Sequence, residues 1–140
     1  MLKQIYPCLW FDGQAKAAAE YYCSIFKDAA ITAENPIVVH LEVNGFKFMF
    51  LNGGPQYKFT PATSFVIECN IQDEIDYYWE KLGAGGRYDQ CGWLDDKFGV
   101  SWQVVPVVLH KLMADPKRAP RVVDAFMKMS KFDIAQLENA

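Results

Sequence analysis

The dipeptide Asn44-Gly45 is the feature of this chain that most constrains its fold. It joins two β-prone segments, 37–43 and 46–52. Such a turn predicts a hairpin and fixes which residues of its two strands face each other. One face is then wholly apolar, with the pairs Val43 with Phe46, Leu41 with Phe48 and Val39 with Phe50. The other face is mixed, with the pairs Glu42 with Lys47, His40 with Met49 and Val38 with Leu51.

The hairpin completes the first of two segments that have a similar predicted order of elements. Before it, hydrophobic spacing predicts a strand at 5–11, a helix at 14–26 and a weak strand at 30–33. The order recurs later, with predicted elements at 63–70 (strand), 72–82 (helix), 87–93 (strand) and 99–105 (strand).

This recurring order makes a duplicated module plausible and predicts an α+β fold in which two modules form one domain, residues 1–140. The modules span 1–54 and 62–106. Residues 107–140 form a helical tail, with predicted helices at 107–114 and 119–131.

Strand alternation gives each predicted strand an apolar face and a mixed face. We expect the apolar faces to lie under the helices. The mixed faces resemble a pocket lining, in which a few polar groups stand among apolar ones. The predicted lining residues are Tyr6, Cys8, His40, Glu42, Met49, Ser64, Glu68, Trp93 and Gln103.

Composition narrows the class of protein. The chain has a formal net charge of -3, is 51% hydrophobic and has no basic patch of the kind that binds nucleic acid. No apolar run approaches the roughly 18 residues that cross a bilayer, and the first residues lack the pattern of a secretory signal. We therefore expect a cytoplasmic protein with no nucleic-acid or membrane partner. The four cysteines are widely spaced, with no C-x-x-C pair, and single cysteines of this kind are mostly small core residues: Cys8, Cys23, Cys69 and Cys91.

Four segments carry a resemblance to one known family. They are LNGGPQYKFTPATSFVIEC (51–69), QDEIDYYWEKLGAGG (72–86), CGWLDDKFGVSWQVVP (91–106) and KMSKFDIAQLENA (128–140). The chain resembles the PhnB-like family, often labelled 3-demethylubiquinone-9 3-methyltransferase, of the glyoxalase or vicinal oxygen chelate superfamily. The resemblance implies paired βαβββ modules, a ligand-binding cup and a homodimer.

The superfamily also implies a divalent metal, held by one residue on each of four strands, usually histidine, glutamine or glutamate. Carried over one at a time, these positions fall on Tyr6, Met49, Ser64 and Gln103, the last placed by the turn Asp96-Lys97-Phe98-Gly99. This set has no imidazole and no carboxylate, and its thioether is a soft ligand that hard cations avoid. We therefore predict no metal at the usual site and no cofactor.

Glu68 and His40 are the candidate catalytic residues. His40 and Glu42 lie two residues apart on one strand face, and together with Glu68 they could form a reassigned metal site or an acid–base pair. Alternatively, Glu42 pairs with Lys47 across the hairpin and His40 is a polar residue at the rim of the cup.

Three functions remain open from the sequence. The first is a small-molecule-binding protein or metal-independent enzyme, and the second is a metal-dependent lyase or dioxygenase with reassigned ligands. The third is a protein of the bleomycin-resistance type that sequesters a drug or metabolite. Methyl transfer is not expected, because the glycine-rich run 83–86 follows a predicted helix instead of joining a strand to a helix. The sequence does not identify the ligand.

Overall fold

The computed structural model describes all 140 residues, and these divide into two compact units, Met1–Phe59 and Thr60–Ala140. None of its helices has the length and apolar character needed to cross a membrane.

The first unit contains a helix and a four-stranded sheet. Its elements are β1 (Cys8–Phe11), α1 (Ala15–Ile25), β2 (Ala29–Glu34), β3 (Val38–Val43) and β4 (Phe46–Asn52). The strand order is β1-β4-β3-β2, with β1 parallel to β4 and the other pairs antiparallel. β1 begins three residues later than predicted, after Pro7, which has no backbone N–H and contributes only its carbonyl, accepting from the Met49 N–H at 3.0 Å.

The hairpin of β3 and β4 forms as the sequence predicts. Asn44 and Gly45 have φ values of 52° and 83°, as the two central residues of a type I′ turn require. All six predicted cross-strand pairs are observed, from Val43 opposite Phe46 to Val38 opposite Leu51. The predicted register is confirmed.

Helix α1 covers the apolar face of this sheet. Small residues on its inner side, Ala15, Ala18 and Ala19, are fully buried, so that the helix can approach the strands closely. Tyr22 completes the contact, with its ring 5.7 Å from that of Phe50. Opposite them, the sheet buries Leu9, Phe11, Val39, Leu41 and Phe50. Each such side chain stabilises the fold by about 1.5–3 kcal/mol relative to full exposure.

The second unit repeats the order of the first and adds three helices. Its elements are β5 (Ser64–Cys69), α2 (Gln72–Gly83), β6 (Arg87–Tyr88), β7 (Trp93–Asp95), β8 (Ser101–Pro106), α3 (Val108–Ala114), α4 (Ala119–Phe126) and α5 (Ile134–Glu138). The strand order is β5-β8-β7-β6, and β5 is parallel to β8. Both units therefore have the βαβββ order, which confirms the α+β fold.

The predicted single strand at 87–93 is wrong, because two short strands with a turn between them occupy this region. Cys91 and Gly92 have φ values of 57° and 80°, a left-handed conformation that ends a strand. The turn is closed by a 2.9 Å hydrogen bond from the Asp89 N–H to the Trp93 carbonyl.

The tail also differs from its prediction, since it has three helices instead of two. α4 ends at Phe126, five residues before the predicted end. The carbonyls of Met129 and Ser130 accept from the N–H groups of Cys91 and Gly92, each at 2.8 Å. These residues are thus tied to the β6–β7 turn instead of extending the helix. α5 then begins after Asp133, whose side chain accepts from the Gln136 N–H at 3.1 Å.

Candidate functional site

The mixed face of the first unit brings together the five lining residues predicted there. Cys8 is in register with Met49, and Met49 is in register with His40. Tyr6 lies beside them, with its ring edge-on to the imidazole of His40 at 6.3 Å. Glu42 is exposed on the same strand as His40 and stands opposite Lys47.

Lys47 contributes a positive charge to this face. Its Nζ lies 4.4 Å from the centre of the Tyr6 ring and 3.3 Å from the Gln4 side-chain oxygen. An ammonium over an aromatic face is attracted to it. Lys47 is directly opposite Glu42 in the hairpin. This is the arrangement expected if Glu42 pairs with Lys47 across the strands instead of serving a metal or a reaction.

His40 has one buried nitrogen with no hydrogen-bond partner. Its Nδ1 is inaccessible to solvent and is neither donor nor acceptor in any contact. Buried polar atoms are nearly always paired, so an unpaired one needs an explanation. This nitrogen could take a bond from a ligand group.

Trp10 and Tyr57 form an aromatic contact, and neither residue is in the predicted lining. The Trp10 Nε1–H donates to the Gly54 carbonyl at 2.8 Å, and its ring meets Tyr57 at 5.0 Å, nearly perpendicular. Gly53 allows this packing, because a Cβ at that position would lie 2.3 Å from the Trp10 ring. The signal in the sequence was the Gly53-Gly54-Pro55 run directly after a strand.

The second unit groups three more of the predicted residues. Gln103 on β8 donates from its Nε2 to the Ser64 Oγ on β5 at 3.0 Å. Trp93 on β7 is in register with Gln103. Val66 neighbours Gln103 on the other side and is 56% exposed. Gln103 thus lies between an indole and an exposed aliphatic group.

Asp96 holds the turn that precedes Gln103. Its carboxylate accepts from the N–H groups of Phe98 and Val100 at 2.8 and 3.1 Å, and from the Trp102 Nε1–H at 2.9 Å. The Asp96-Lys97-Phe98-Gly99 segment therefore forms a turn between β7 and β8, as the resemblance implied.

Glu68 is paired with His110, a partner that the sequence did not predict. Its Oε2 lies 2.8 Å from the Nε2 of His110 in α3, and both side chains are more than half exposed. The predicted helix at 107–114 contained His110. The amphipathic pattern of this segment predicts a helix but does not identify β5 as the neighbour of His110.

The residues at the usual metal positions do not fit a hard divalent ion. Ser64 and Gln103 satisfy each other, Tyr6 faces an ammonium group, and Met49 supplies a thioether. No three histidine, cysteine, aspartate or glutamate side chains come together in a way that could hold a metal ion. Within the first unit, His40 and Glu42 therefore belong to no cluster that could hold a metal ion.

Burial raises the pKa of three of the four thiols: Cys8, Cys23 and Cys69. Partial burial raises the pKa of Cys8 on the mixed face of the first unit. In the core of the second unit, desolvation and then the charge of Glu74 raise the pKa of Cys69 to about 12. None of the three is a ready nucleophile at neutral pH, because the thiolate is the reactive form.

Comparison with solved structures defines the class of protein. The PhnB protein of Bacillus cereus has a TM-score of 0.68 and 29% identity, over 75% of this chain and 100% of that one. A glyoxalase-related enzyme from Fulvimarina pelagi has a TM-score of 0.54 and 18% identity, over 75% and 88%. The fosfomycin resistance protein FosX of Listeria monocytogenes, solved with Mn(II) and sulfate, has a TM-score of 0.61 and 14% identity, over 81% of this chain and 97% of that one.

The fold is thus that of the glyoxalase or vicinal oxygen chelate superfamily. The Fulvimarina pelagi and Listeria monocytogenes proteins are less than 25% identical to this chain, so they support the fold alone. Within it, the chain belongs to the PhnB-like family described as 3-demethylubiquinone-9 3-methyltransferase, whose profile matches residues 3–105. The resemblance seen in the sequence is confirmed. No curated protein matches the chain.

Proposed function

We propose that the protein binds a small organic molecule without the divalent metal of its superfamily, either to hold it or to transform it. The observation that carries this proposal is the 3.0 Å hydrogen bond between Gln103 and Ser64. Two positions that would hold a metal in relatives are here a neutral amide and a hydroxyl that satisfy each other. Such groups orient an organic ligand among apolar side chains.

Each unit has its own candidate ligand-binding surface, which is the mixed face of its sheet. On the first sheet it consists of Tyr6, Cys8, His40, Glu42 and Met49. On the second it consists of Ser64, Glu68, Trp93 and Gln103. Aromatic rings next to a few unpaired or exchangeable polar groups favour a ligand that is itself flat and carries hydrogen-bonding substituents.

The proposal is tested by titrating the purified chain with a panel of aromatic compounds in the presence of EDTA. We expect saturable quenching of tryptophan fluorescence by at least one compound, and loss of most of that quenching in Trp93→Phe. Trp79→Phe is the control, since Trp79 is buried against Tyr88 at 4.6 Å and faces no ligand. Binding that disappears with EDTA and returns with Zn²⁺ or Mn²⁺ contradicts a metal-independent function.

A second candidate, metal-independent proton transfer, is favoured by the contact between Glu68 and His110. A carboxylate bonded to an imidazole fixes the ring's tautomer and orientation, as in general-base dyads. Once a ligand is known, product analysis of the wild type, Glu68→Gln and His110→Gln separates the alternatives. Product that is lost in both variants supports an enzyme. Binding without product supports sequestration of the ligand.

The proposal includes a homodimer in the cytoplasm. The dimer is the assembly that the family resemblance implies, and exposed apolar side chains such as Val66 and Phe46 could contribute to an interface. All four cysteines are free, as is usual in a reducing compartment. Sedimentation equilibrium should give twice the chain mass of 16.0 kDa; a single-chain mass at all concentrations contradicts the dimer.

A further inference from the structure

One lysine on the mixed face of the first sheet has an ammonium group with no carboxylate partner. Lys47 lies on β4 directly opposite Glu42 of β3, yet its Nζ forms no ion pair with Glu42 or with any other carboxylate. Lys47 is half-buried. A charge that is partly removed from water without a counter-charge is unfavourable, so this position favours an anionic group from a ligand.

The contacts of the Lys47 ammonium come from the segment that leads into β1. Its Nζ lies 4.4 Å from the centre of the Tyr6 ring and 3.3 Å from the side-chain oxygen of Gln4. Both partners are neutral, and an ammonium group has three donors. An anion can therefore bind to this nitrogen without displacing an existing ion pair.

An apolar strip runs along β4 from this ammonium group. Lys47, Met49 and Leu51 share one face of the strand, because alternate residues do, and all three are half-buried. Residues two apart on a strand are separated by about 7 Å, so the strip is about 14 Å long. Trp10 is in register with Leu51 at its far end and contacts Tyr57. The strip thus has a positive charge at one end and apolar and aromatic groups along the rest.

We propose that the mixed face of the first unit binds a flat organic carboxylate, whose anionic group contacts Lys47 and whose ring lies over Met49 and Leu51. The proposal rests on the proposed function and specifies the class of ligand at one of its two surfaces. The thioether of Met49 adapts to a flat ring. A single ammonium with the carboxylate of Glu42 on the adjacent strand favours a singly charged anion over a doubly charged phosphate, which Glu42 would repel more strongly.

The test compares two probes that have the same ring and differ in charge. Isothermal titration calorimetry of the full chain with 2-naphthoate and with neutral 2-naphthamide, at pH 7 in EDTA, measures the two dissociation constants. We expect the wild type to bind 2-naphthoate at least about tenfold more tightly, because charge-assisted hydrogen bonds are the stronger ones. In Lys47→Met this preference should disappear, since the methylene groups remain and the charge is lost.

Two further variants control for the charge of the chain. Lys16→Met removes the same charge from α1, on the other side of the sheet, where Lys16 pairs with Glu34 at 3.3 Å, and should keep the preference for 2-naphthoate. Glu42→Gln removes the negative charge opposite Lys47 and should strengthen the binding of 2-naphthoate. A preference that persists in Lys47→Met, or that is lost equally in Lys16→Met, overturns the proposal. Urea unfolding of each variant checks that the fold is intact.

The outcomes separate this proposal from the proposed function. Equal affinities of the wild type for the two probes overturn the carboxylate ligand and leave metal-independent binding supported. Binding of neither probe also overturns the carboxylate ligand, whereas the proposed function is then decided by the aromatic panel and Trp93→Phe, which report on the second unit. Binding of 2-naphthoate that needs added Zn²⁺ or Mn²⁺ and survives in Lys47→Met contradicts both.

Discussion

Asp96 shows how a single buried residue determines the position of a candidate site residue. Only 3% of it is exposed, and its two oxygens accept from two backbone N–H groups and from the indole of Trp102. Trp102 directly precedes Gln103 on β8. The carboxylate thereby ties the β7–β8 turn to the strand that carries Gln103.

Replacing Asp96 by alanine should reduce the free energy of unfolding by at least about 2 kcal/mol, because it leaves two buried donors, the Val100 N–H and the Trp102 Nε1–H, without a partner, and each such donor costs about 1–3 kcal/mol. Urea denaturation followed by far-UV circular dichroism measures this change. Asp96→Asn is the control and should cost less, since one oxygen acceptor remains. A cost below about 1 kcal/mol for the alanine variant would show that water or other groups replace the carboxylate.

Cysteine reactivity should separate two thiols that look alike in the sequence. Cys69 is 1% exposed and its pKa is raised to about 12, whereas Cys8 is exposed. At pH 8 the folded chain should react with iodoacetamide at Cys8 long before Cys69. Peptide mass spectrometry locates the label, and a sample in urea should label both. Equal labelling of the two in the folded chain contradicts the buried position of Cys69.

At the scale of elements, a glycine links the β6–β7 turn to the tail. Gly92 has φ 80°, and a Cβ there would lie 2.5 Å from the Phe132 ring and 2.6 Å from the Val104 carbonyl. Gly13 has a similar φ of 75° but nothing within 4 Å of an added Cβ. A side chain at either glycine would be strained by the positive φ, but only one at Gly92 would also overlap with neighbouring atoms.

Gly92→Ala should therefore be clearly more destabilising than Gly13→Ala. The shared left-handed conformation costs about 1–2 kcal/mol for a residue with a Cβ. Gly92→Ala adds the overlap with Phe132 and Val104, and overpacking typically costs a further 1–3 kcal/mol. Thermal unfolding of both variants gives the comparison. If the two variants lose the same amount of stability, the tail moves away from the β6–β7 turn at no cost in free energy.

The contact between α2 and the tail should depend on pH. Lys131 Nζ lies 2.8 Å from Asp76 Oδ1, and the hydrogen bonds from Lys131 and then Gln72 lower the pKa of Asp76 below its ordinary value. A carboxyl whose pKa is lower in the folded chain contributes stability above the unfolded value, and this is lost as pH falls through the folded value.

Asp76→Asn should therefore destabilise the chain slightly at pH 7 and not at pH 2. Both partners are more than 40% exposed, so the effect at pH 7 should not exceed about 1 kcal/mol. Urea midpoints of wild type and variant at the two pH values provide the measurement. Glu20→Gln is the control, because its pairing with Lys16 at 3.9 Å is weaker and fully on the surface. A difference between wild type and Asp76→Asn that grows at low pH has the wrong sign.

The elements differ in how far the sequence predicts them, and the reason is the range of the interactions involved. The β3–β4 hairpin is defined by a local turn and by alternation, so its register could be predicted residue by residue. The end of α4 depends on hydrogen bonds from Cys91 and Gly92, more than thirty residues away in sequence. No local pattern carries that information, so the second tail helix was predicted too long and α5 was missed.

At the scale of the whole molecule, the repeated strand and helix order could be predicted from the sequence, except for the two strands β6 and β7, but the partners of the site residues could not. Alternation indicates the face on which Glu68 lies. Its bond to His110 depends on where α3 lies relative to β5, which is a tertiary property. The unpaired Nδ1 of His40 is likewise invisible in the sequence. Sequence therefore predicts which residues are candidates, and the structure determines which of them can act together.

The absence of suitable donors at the superfamily's metal positions leads to a prediction for the whole chain. After dialysis with Zn²⁺, Ni²⁺, Mn²⁺ or Fe²⁺, elemental analysis of the wild type should show well below one ion per chain, because its donors there are a phenol, a thioether, a hydroxyl and an amide. The double variant Ser64→His with Gln103→Glu places an imidazole and a carboxylate where two side chains are now 3.0 Å apart, and should retain more Zn²⁺ than the wild type. One retained divalent ion per chain in the wild type would contradict the metal-independent function.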